Sequence, residues 1–514
     1  MPLDHEYTLI EPDAEGDDLP APAIETALSE TDDSTLPTRD DDDDTKFVST
    51  FFRTRTAVHI LFFIFMLSLG FGNMHTIVPG LLEDRFARLE FGYDGPPCAD
   101  FHKESAAEDN RPQECKDGGD AAQNAAAASA FAANMLMLVF SPVVGSLSDC
   151  HGRRAFLVAT SALLATTPLS LLLIQISDRA SPYWYYFSRA IQGLVYSSSI
   201  CFTVLADVMP PKMRSPSNGL FLATYLFGNG MSQILAKVLS HLMVTIVASI
   251  LVLSGCIFII MVFRESLPEE ARRKALSNRR EEENNWGRVI LRPIRELSIL
   301  NRNKFFRLLA VVSVCSGMTH SSDSTLIVYY MKNQLDIGYQ SIATMFFFKS
   351  LVGVLVNVFL VKLAIGCLRE KRAVTLGLML GTIHNLFWGL ASTQWGIFAG
   401  MVASEFAGIH FPILVGMRSA NVGEEEQGRV QGAFFALEAI ADAVGPVLLQ
   451  GIYDQTENTV RPGPGFMFVV AALIYVFGAI AACMLPADKA NVTSRTRGEN
   501  TETDICRESL PAIS

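Results

Sequence analysis

The chain has 514 residues, 50% of them hydrophobic and only 18% charged, against roughly 25% charged in an ordinary soluble domain. Its first 46 residues hold 16 acidic and 2 basic side chains against a total net charge of −12, so the remainder is close to neutral. Setting that tail and the loops aside leaves twelve apolar stretches, each about 20 residues long, the length that crosses a bilayer as a helix. A soluble enzyme and a porin-type barrel are thereby excluded, and the acidic excess has the wrong sign for a nucleic-acid partner.

Residues 1–46, with the run Asp40 to Asp44, bury too little apolar surface to offset ordering entropy and are expected to form a disordered acidic tail. The start has neither the basic region nor the apolar core of a secretory signal. Within it, Tyr7 to Ile10 (YTLI) fits a tyrosine-based sorting signal, which would make sorting machinery a partner; four-residue patterns of this kind also arise by chance.

The expected spans are 56–80, 124–147, 156–177, 183–208, 218–240, 242–264, 306–331, 340–364, 373–391, 395–417, 430–452 and 464–485. They give an all-α membrane protein: an N-terminal six-helix bundle over 47–264 with a loop at 81–123, a charged linker over 265–304, a C-terminal six-helix bundle over 305–485, and a disordered tail over 486–514. Spans 5 and 6 nearly touch, so the loop between them must be very short. Lys and Arg set the orientation. With a cytosolic N-terminus, about 29 of the 41 basic residues fall on the cytosolic side and about 8 outside. Both termini and the linker are thus expected in the cytosol, and 81–123 on the exoplasmic side. Trp184, Trp388 and Trp395 fall near outer ends, where interfacial aromatics belong. Cys98 and Cys115 share the outer loop, where oxidising conditions permit a disulfide; the alternative is two free thiols in a flexible acidic loop. The sequon at Asn491 lies in the cytosolic tail and should be unused.

The two halves resemble each other. ADVMPPKMRSPSNGLF (Ala206 to Phe221) after span 4 matches ANVGEEEQGRVQGAFF (Ala420 to Phe435) after span 10, and GSLSDCHGRRAF from Gly145 has a shortened counterpart, GCLREKRAV, from Gly366. The offsets are 214 and 221 residues. Such a repeat implies two bundles about a pseudo-twofold axis with a site between them near the midplane.

GSLSDCHGRR, Gly145 to Arg154, closely resembles the loop motif G-x-L-[A/S]-D-x-x-G-[R/K]-[R/K] of the major facilitator superfamily, with Cys150 where a basic residue is common. Gly145 allows helices to pack closely, Asp149 can accept from an Arg or a helix N-terminus, Gly152 permits a tight turn, and Arg153 and Arg154 anchor the loop. In the family this cluster is a latch between the bundles. SRAIQGLVYSSS in span 4 resembles the superfamily's R-x-x-Q-G motif through Arg189, Gln192 and Gly193. Arg189 is a functional candidate as an intramembrane charge, or an arginine that snorkels to the outer interface. AVGPVLLQG in span 11, with Gly445, Pro446 and Gly451, resembles the Gly-Pro motif that proton antiporters carry in span 5; here span 5 has Gly228 and Gly230 but no proline. The Gly-Pro pair predicts a bend and close packing. The resemblance covers about 50–485 and extends to tetracycline-resistance efflux pumps, hippocampus-abundant-transcript transporters and proton-coupled folate transporters, the first two chiefly through Glu424 to Pro446.

In that family spans 1, 4, 7 and 10 line the cavity and 2, 5, 8 and 11 form the bundle interface. The intramembrane ionisable residues fall on those spans: Arg189, His320 and Asp323, Lys349, Glu405 and His410, Glu438 and Asp442, with His384 alone on span 9. The cost of charge in lipid turns them inward, and Glu438 and Asp442, four apart, share a helix face. Lys349 could instead pair structurally with Glu438 or Asp442, and the histidines could serve packing. For a proton switch Glu405 is the first choice, Asp323 the second, and Glu438 with Asp442 the third. No ATP-binding G-x-x-x-x-G-K-[S/T] and no H-E-x-x-H are present, so no enzymatic activity, metal or cofactor is expected.

These features predict a secondary transporter of small organic solutes working by rocking-bundle alternating access with protons, in the plasma membrane or an endolysosomal or vacuolar membrane. The alternatives are an uncoupled facilitator, or a non-transporting sensor or trafficking adaptor on the same fold.

Overall fold

The computed structural model describes residues 41–98, 112–280, 292–333, 339–391, 393–456 and 463–486. The chain divides into two units, Met1–Lys46 and Phe47–Ser514. Of the first unit only the start of helix Asp41–Arg53 is described. That helix opens inside the stretch read as a disordered tail. Tyr7 to Ile10 and Asn491 lie outside the described residues.

Among the described residues, nine segments are long and apolar enough to cross a bilayer: Arg55–Met74, Gln113–His151, Arg153–Ile176, Tyr183–Val208, His241–Val262, Thr344–Leu390, Gln394–Ala420, Glu424–Thr456 and Phe466–Cys483. Thr344–Leu390 is two spans: helix Tyr339–Leu355 passes through a π turn, Val356–Leu360, into Val361–Leu390, which breaks at Arg369. Two more helices, Arg214–Val238 and Lys304–Asn333, have spanning length, but polar residues such as Asn218, Ser232, Thr319 and Asp323 interrupt their apolar surface. Together these make twelve spans, six on either side of the linker, as expected.

Three elements depart from the expected boundaries. Spans 1 and 2 are helices Arg55–Glu90 and Gln113–His151, so they run well into the segment read as the loop 81–123. The linker 265–304 contains helices Glu269–Arg280 and Arg292–Leu297. GCLREKRAV is no loop: the chain reverses at the single residue Arg369. Hydropathy marks where a helix meets lipid, and a helix that continues into water leaves no apolar signal. The very short connection between spans 5 and 6 is present, with only Leu239 and Ser240 between Arg214–Val238 and His241–Val262.

Spans 4 and 10 are each broken near mid-length. In span 4, Tyr183–Ile191 passes through a 3-10 turn, Gln192–Leu194, and two extended residues, Val195 and Tyr196, before Ser197–Val208 begins. In span 10 the break separates Gln394–Ala407 from His410–Ala420. Non-helical backbone at this depth is tolerated only where protein or a water-lined cavity satisfies it; Thr160 donates to the carbonyl of Val195 at 2.8 Å.

The core of each bundle falls into two main clusters. In the N-terminal bundle, one cluster around Met74, Phe86, Tyr186 and Val244 lies toward the Cys98 end. The other, around Phe63, Phe202 and Phe221, also takes in Val415, Phe435 and Ala439 of the C-terminal bundle. The two bundles therefore share apolar packing at the Asp149 end. Phe202 stands 6.1 Å from both Phe411 and Phe435, measured between ring centroids.

Candidate functional site

The first candidate site is the Asp149 end. Here spans 2 and 11 approach until backbones touch: a Cβ at Gly145 would meet the carbonyl oxygen of Gly428, and one at Gly432 would meet that of Ser141. Such an approach is possible only between glycines or other small residues. It delivers the Asp149 carboxylate to the first turn of helix Gln427–Thr456, where the N–H groups of Gly428 and Arg429 each donate to it at 2.8 Å. These donors have no partner within the helix, and the positive end of the helix dipole favours an anion there.

Arg153 completes this arrangement. Fully buried, it pairs with Asp149 at 2.7 Å and with Asp207 at 2.9 Å, and donates to Ser148 Oγ at 2.7 Å. Gly152 supplies the turn, at φ 93°. Glu265 accepts from the N–H groups of Arg153 and Arg154 and so caps span 3, while Arg154 donates to the carbonyl of Ile260 at 2.8 Å. The five residues expected to form the gating loop, Gly145, Asp149, Gly152, Arg153 and Arg154, thus lie together where spans 2, 3 and 11 meet. Sequence reasoning missed Asp207 and Glu265; the signal for Asp207 was its place as the polar residue of the repeated Ala-polar-Val at the end of span 4.

On the opposite flank of the same end, Arg214 donates to the carbonyl of Ser419 at 2.7 Å, Ser215 to Glu370 at 2.6 Å, and Asn218 to the carbonyl of Pro412 at 3.3 Å. The linker adds outer contacts. Arg272 donates to the carbonyl of Cys150 in the N-terminal bundle, and Lys274 pairs with Glu425 of the C-terminal bundle at 2.5 Å. The Lys274 ammonium, outside the spans, has its pKa raised by that bonded carboxylate.

The second candidate site is the set of ionisable groups within the spans. Lys349 lies 3.7 Å from Glu405, both largely shielded; the pairing of Lys349 with Glu438 or Asp442 across the interface is not what forms. Span 8 allows this because Gly353 leaves room for the Glu405 carboxylate. Glu438 pairs instead with Arg418 at 2.7 Å, and Arg418 also donates to Ser313 and lies over the Phe434 ring at 4.3 Å. Sequence reasoning missed Arg418 because it ended span 10 one residue earlier. Asp442 is half-buried, and its backbone carbonyl accepts from Ser321 at 3.4 Å. Asp323 does not line the cavity as expected. It is 7% exposed, held by His384 Nε2 at 3.0 Å and Asn385 Nδ2 at 3.1 Å in the wall between spans 7 and 9.

In span 4, Arg189 donates to Gln192 at 3.4 Å, and Gln192 donates to Thr167 at 2.5 Å. This places both at the helix break and ties them to span 3. Gly193 and Gly445 are close-packing positions: a Cβ would meet the carbonyl of Ala133 at the first and of Met318 at the second. Pro446 lies within helix Gln427–Thr456. Cys98 and Cys115 form a disulfide with a Cα–Cα distance of 5.7 Å. Among the described residues no group of three or more His, Cys, Asp or Glu side chains could hold a metal ion.

Comparison with known proteins agrees with this geometry. The family model of the Major Facilitator Superfamily matches residues 60–446. The human hippocampus abundant transcript-like protein 1 is 24% identical over 379 residues, covering 68% of this chain and 71% of that protein. The tetracycline resistance protein, class H, of Pasteurella multocida is 23% identical over 359 residues, covering 68% and 83%. The crystal structure of the human organic anion transporter MFSD10 (TETRAN) superposes with a TM-score of 0.66 at 20% identity, over 83% of this chain and 99% of that one. The Escherichia coli fucose:proton symporter FucP gives 0.57 at 11% identity, over 84% and 98%. At these identities the two structures speak for the fold.

Proposed function

Because the chain belongs to the Major Facilitator Superfamily and is a multi-pass membrane transporter, we propose that it moves small organic solutes by alternating access of its two bundles, driven by the proton gradient. One observation carries the proton coupling: Glu405 stands 3.7 Å from Lys349 inside the C-terminal bundle, beside the break in span 10. A carboxyl in that setting is pulled two ways. Desolvation favours its neutral form and the neighbouring ammonium favours its charged form. A small displacement of Lys349 during rocking would then load or unload a proton. The contact at 3.7 Å is loose enough to be broken without losing an ideal hydrogen bond.

Alternating access is supported by the Asp149 latch. Contacts that seal one end in this state must part when that end opens. Sequence bias supports a cytosolic Asp149 end with both chain termini on that side. The relative named for tetracycline resistance supports a small organic solute. Transport in proteoliposomes under an imposed pH gradient, screened across drugs, folates, amino acids and sugars, tests the reading. Glu405→Gln is expected to abolish gradient-driven accumulation and retain exchange; accumulation with unchanged pH dependence would remove Glu405 from the mechanism. The second reading, an uncoupled facilitator, is favoured by the pairing of Glu438 with Arg418, which leaves that carboxylate structurally engaged.

A further inference from the structure

The linker between the bundles carries a basic run that neither latch nor cavity uses: Arg272, Arg273 and Lys274, followed by Ser277. All four lie on helix Glu269–Arg280. Ala271 and Ala275, four apart, are buried and form its inner face, while Arg272, Arg273, Lys274 and Ser277 are exposed. The helix rests on the end of span 2 and on the turn Glu424–Glu426 that precedes span 11. It thus touches both bundles at the end where Asp149 lies.

On the N-terminal bundle, Arg272 donates to the carbonyl of Cys150 at 3.1 Å. On the C-terminal bundle the holding contact is the ion pair of Lys274 with Glu425 at 2.5 Å, its lysine side chain 62% exposed. The neighbouring Glu426 is taken by Arg302 at 2.5 Å and by Arg429 at 3.3 Å. Among the described residues, Lys274 is therefore the one cation paired with Glu425. A single exposed pair is weak and yields readily to a new charge beside it.

Ser277 is where such a charge can be added. It lies one turn beyond Lys274, a spacing that puts Cβ atoms about 5–6 Å apart, and its hydroxyl donates to the Lys274 carbonyl at 2.8 Å. Lys274, Arg273 and Arg272 stand three, four and five positions before that hydroxyl. A protein kinase with an acidic substrate groove is complementary to this pattern. Kinases take their substrates extended, and a helix of 12 residues has little stability of its own, so it unwinds for such a partner at small cost. The basic-residue bias supports a cytosolic linker, on the side that holds nucleoside triphosphate.

We infer that Ser277 is a phosphorylation site whose modification loosens the linker from the C-terminal bundle and favours opening of the Asp149 end. In the modifying step Ser277 Oγ attacks the γ-phosphorus of a nucleoside triphosphate held by the kinase. The Oγ–P bond forms, and the bond from that phosphorus to the β,γ-bridging oxygen breaks. Nucleoside diphosphate leaves, and the hydroxyl proton passes to a base of the kinase. The phosphoserine carries about two negative charges at neutral pH. They draw the Lys274 ammonium back along its own helix and repel the Glu425 carboxylate, so the pair separates. The effect on opening rests on the alternating-access reading; the modification does not.

The test keeps these apart. Purified full-length protein in lipid nanodiscs is incubated with ATP and a kinase directed to basic sequences, and phosphate is located by mass spectrometry. Most chains are expected to carry it on Ser277, and Arg273→Ala to slow its incorporation about threefold. Modification of only a minority of chains at completion overturns the site, and an unchanged rate in Arg273→Ala overturns the recognition. With Cys256, Cys367, Cys483 and Cys506 replaced, Cys150 reports opening. Its alkylation is expected to be about threefold faster in phosphorylated than in unphosphorylated protein. Glu425→Gln, which leaves the basic run intact, should be as fast without phosphate and gain nothing from it. Equal rates with and without phosphate in the parent overturn the loosening, and an equal gain in Glu425→Gln overturns the Lys274–Glu425 pair as its target. Absence of transport in every form would sink the transport reading alone, since neither measurement needs a substrate.

Discussion

Gly152 and Arg369 make the same turn in the two halves of the molecule, 217 positions apart, both with ψ 161° and with φ of 93° and 63°. Each lies between the last turn of one span and the first turn of the next. Only the first is glycine. Arg369 is the one non-glycine residue with positive φ among the described residues. That region costs a side-chain-bearing residue about 1–3 kcal/mol, and Arg369 is exposed. Arg369→Gly is therefore expected to stabilise the folded protein by about 1 kcal/mol, once the greater freedom of glycine in the unfolded chain is deducted. A thermal melt of the purified variant reads this as a higher midpoint; a lower one would mean that the arginine side chain holds something stronger than the strain it stores.

The two members of the latch should fail in different ways. Asp149→Asn keeps one oxygen for Gly428 or Arg429 but loses the ion pair to Arg153. Hydrogen bonds to a charged group are worth about 1.5–3 kcal/mol, so the open form of this end should gain about tenfold in population and transport should slow, with yield little changed. Arg153→Ala removes the buried partner of both Asp149 and Asp207 and should cost about 3–5 kcal/mol. The expected result is loss of folded protein, read by size-exclusion chromatography. Equal yields of the two variants would contradict the burial argument.

Gly145→Ala places a methyl group on the carbonyl of Gly428. Neither backbone can yield without unpacking its helix, so this end should no longer close. The buried Cys150 reports the result. With Cys256, Cys367, Cys483 and Cys506 replaced, alkylation of Cys150 should be at least tenfold faster in Gly145→Ala than in the parent. Unchanged alkylation would show that the helices part without opening a path to the latch.

The Cys98–Cys115 disulfide closes a loop with a sequence separation of 17. By loop-closure entropy it should contribute about 3 kcal/mol. Replacing both cysteines by serine should lower the melting midpoint to that of reduced wild type. A larger loss would point to the small apolar cluster of Ala87, Tyr93, Cys98 and Cys115 as the main contributor.

Spans, bundle count and latch motif were legible in the sequence because they rest on one-dimensional physics. Twenty apolar residues cross a bilayer wherever they occur, and Gly145 to Arg154 is a local pattern. The repeat was legible for the same reason: Ala206 to Phe221 and Ala420 to Phe435 can be laid side by side without a fold. Pairing of charges was not legible, because it depends on rotations of one helix against another that shift a side chain to a different neighbour. Lys349 met Glu405 rather than Glu438, Glu438 met an arginine one residue beyond the expected span, and Asp323 turned into the wall toward His384. The breaks in spans 4 and 10 were hidden too, since an apolar stretch has the same composition whether or not its helix is continuous. The sequence by itself determined that charge must be taken inside these bundles, as lipid admits none unpaired; only the tertiary structure decided which charge answers which, since that is settled by packing at distances of 3 to 4 Å.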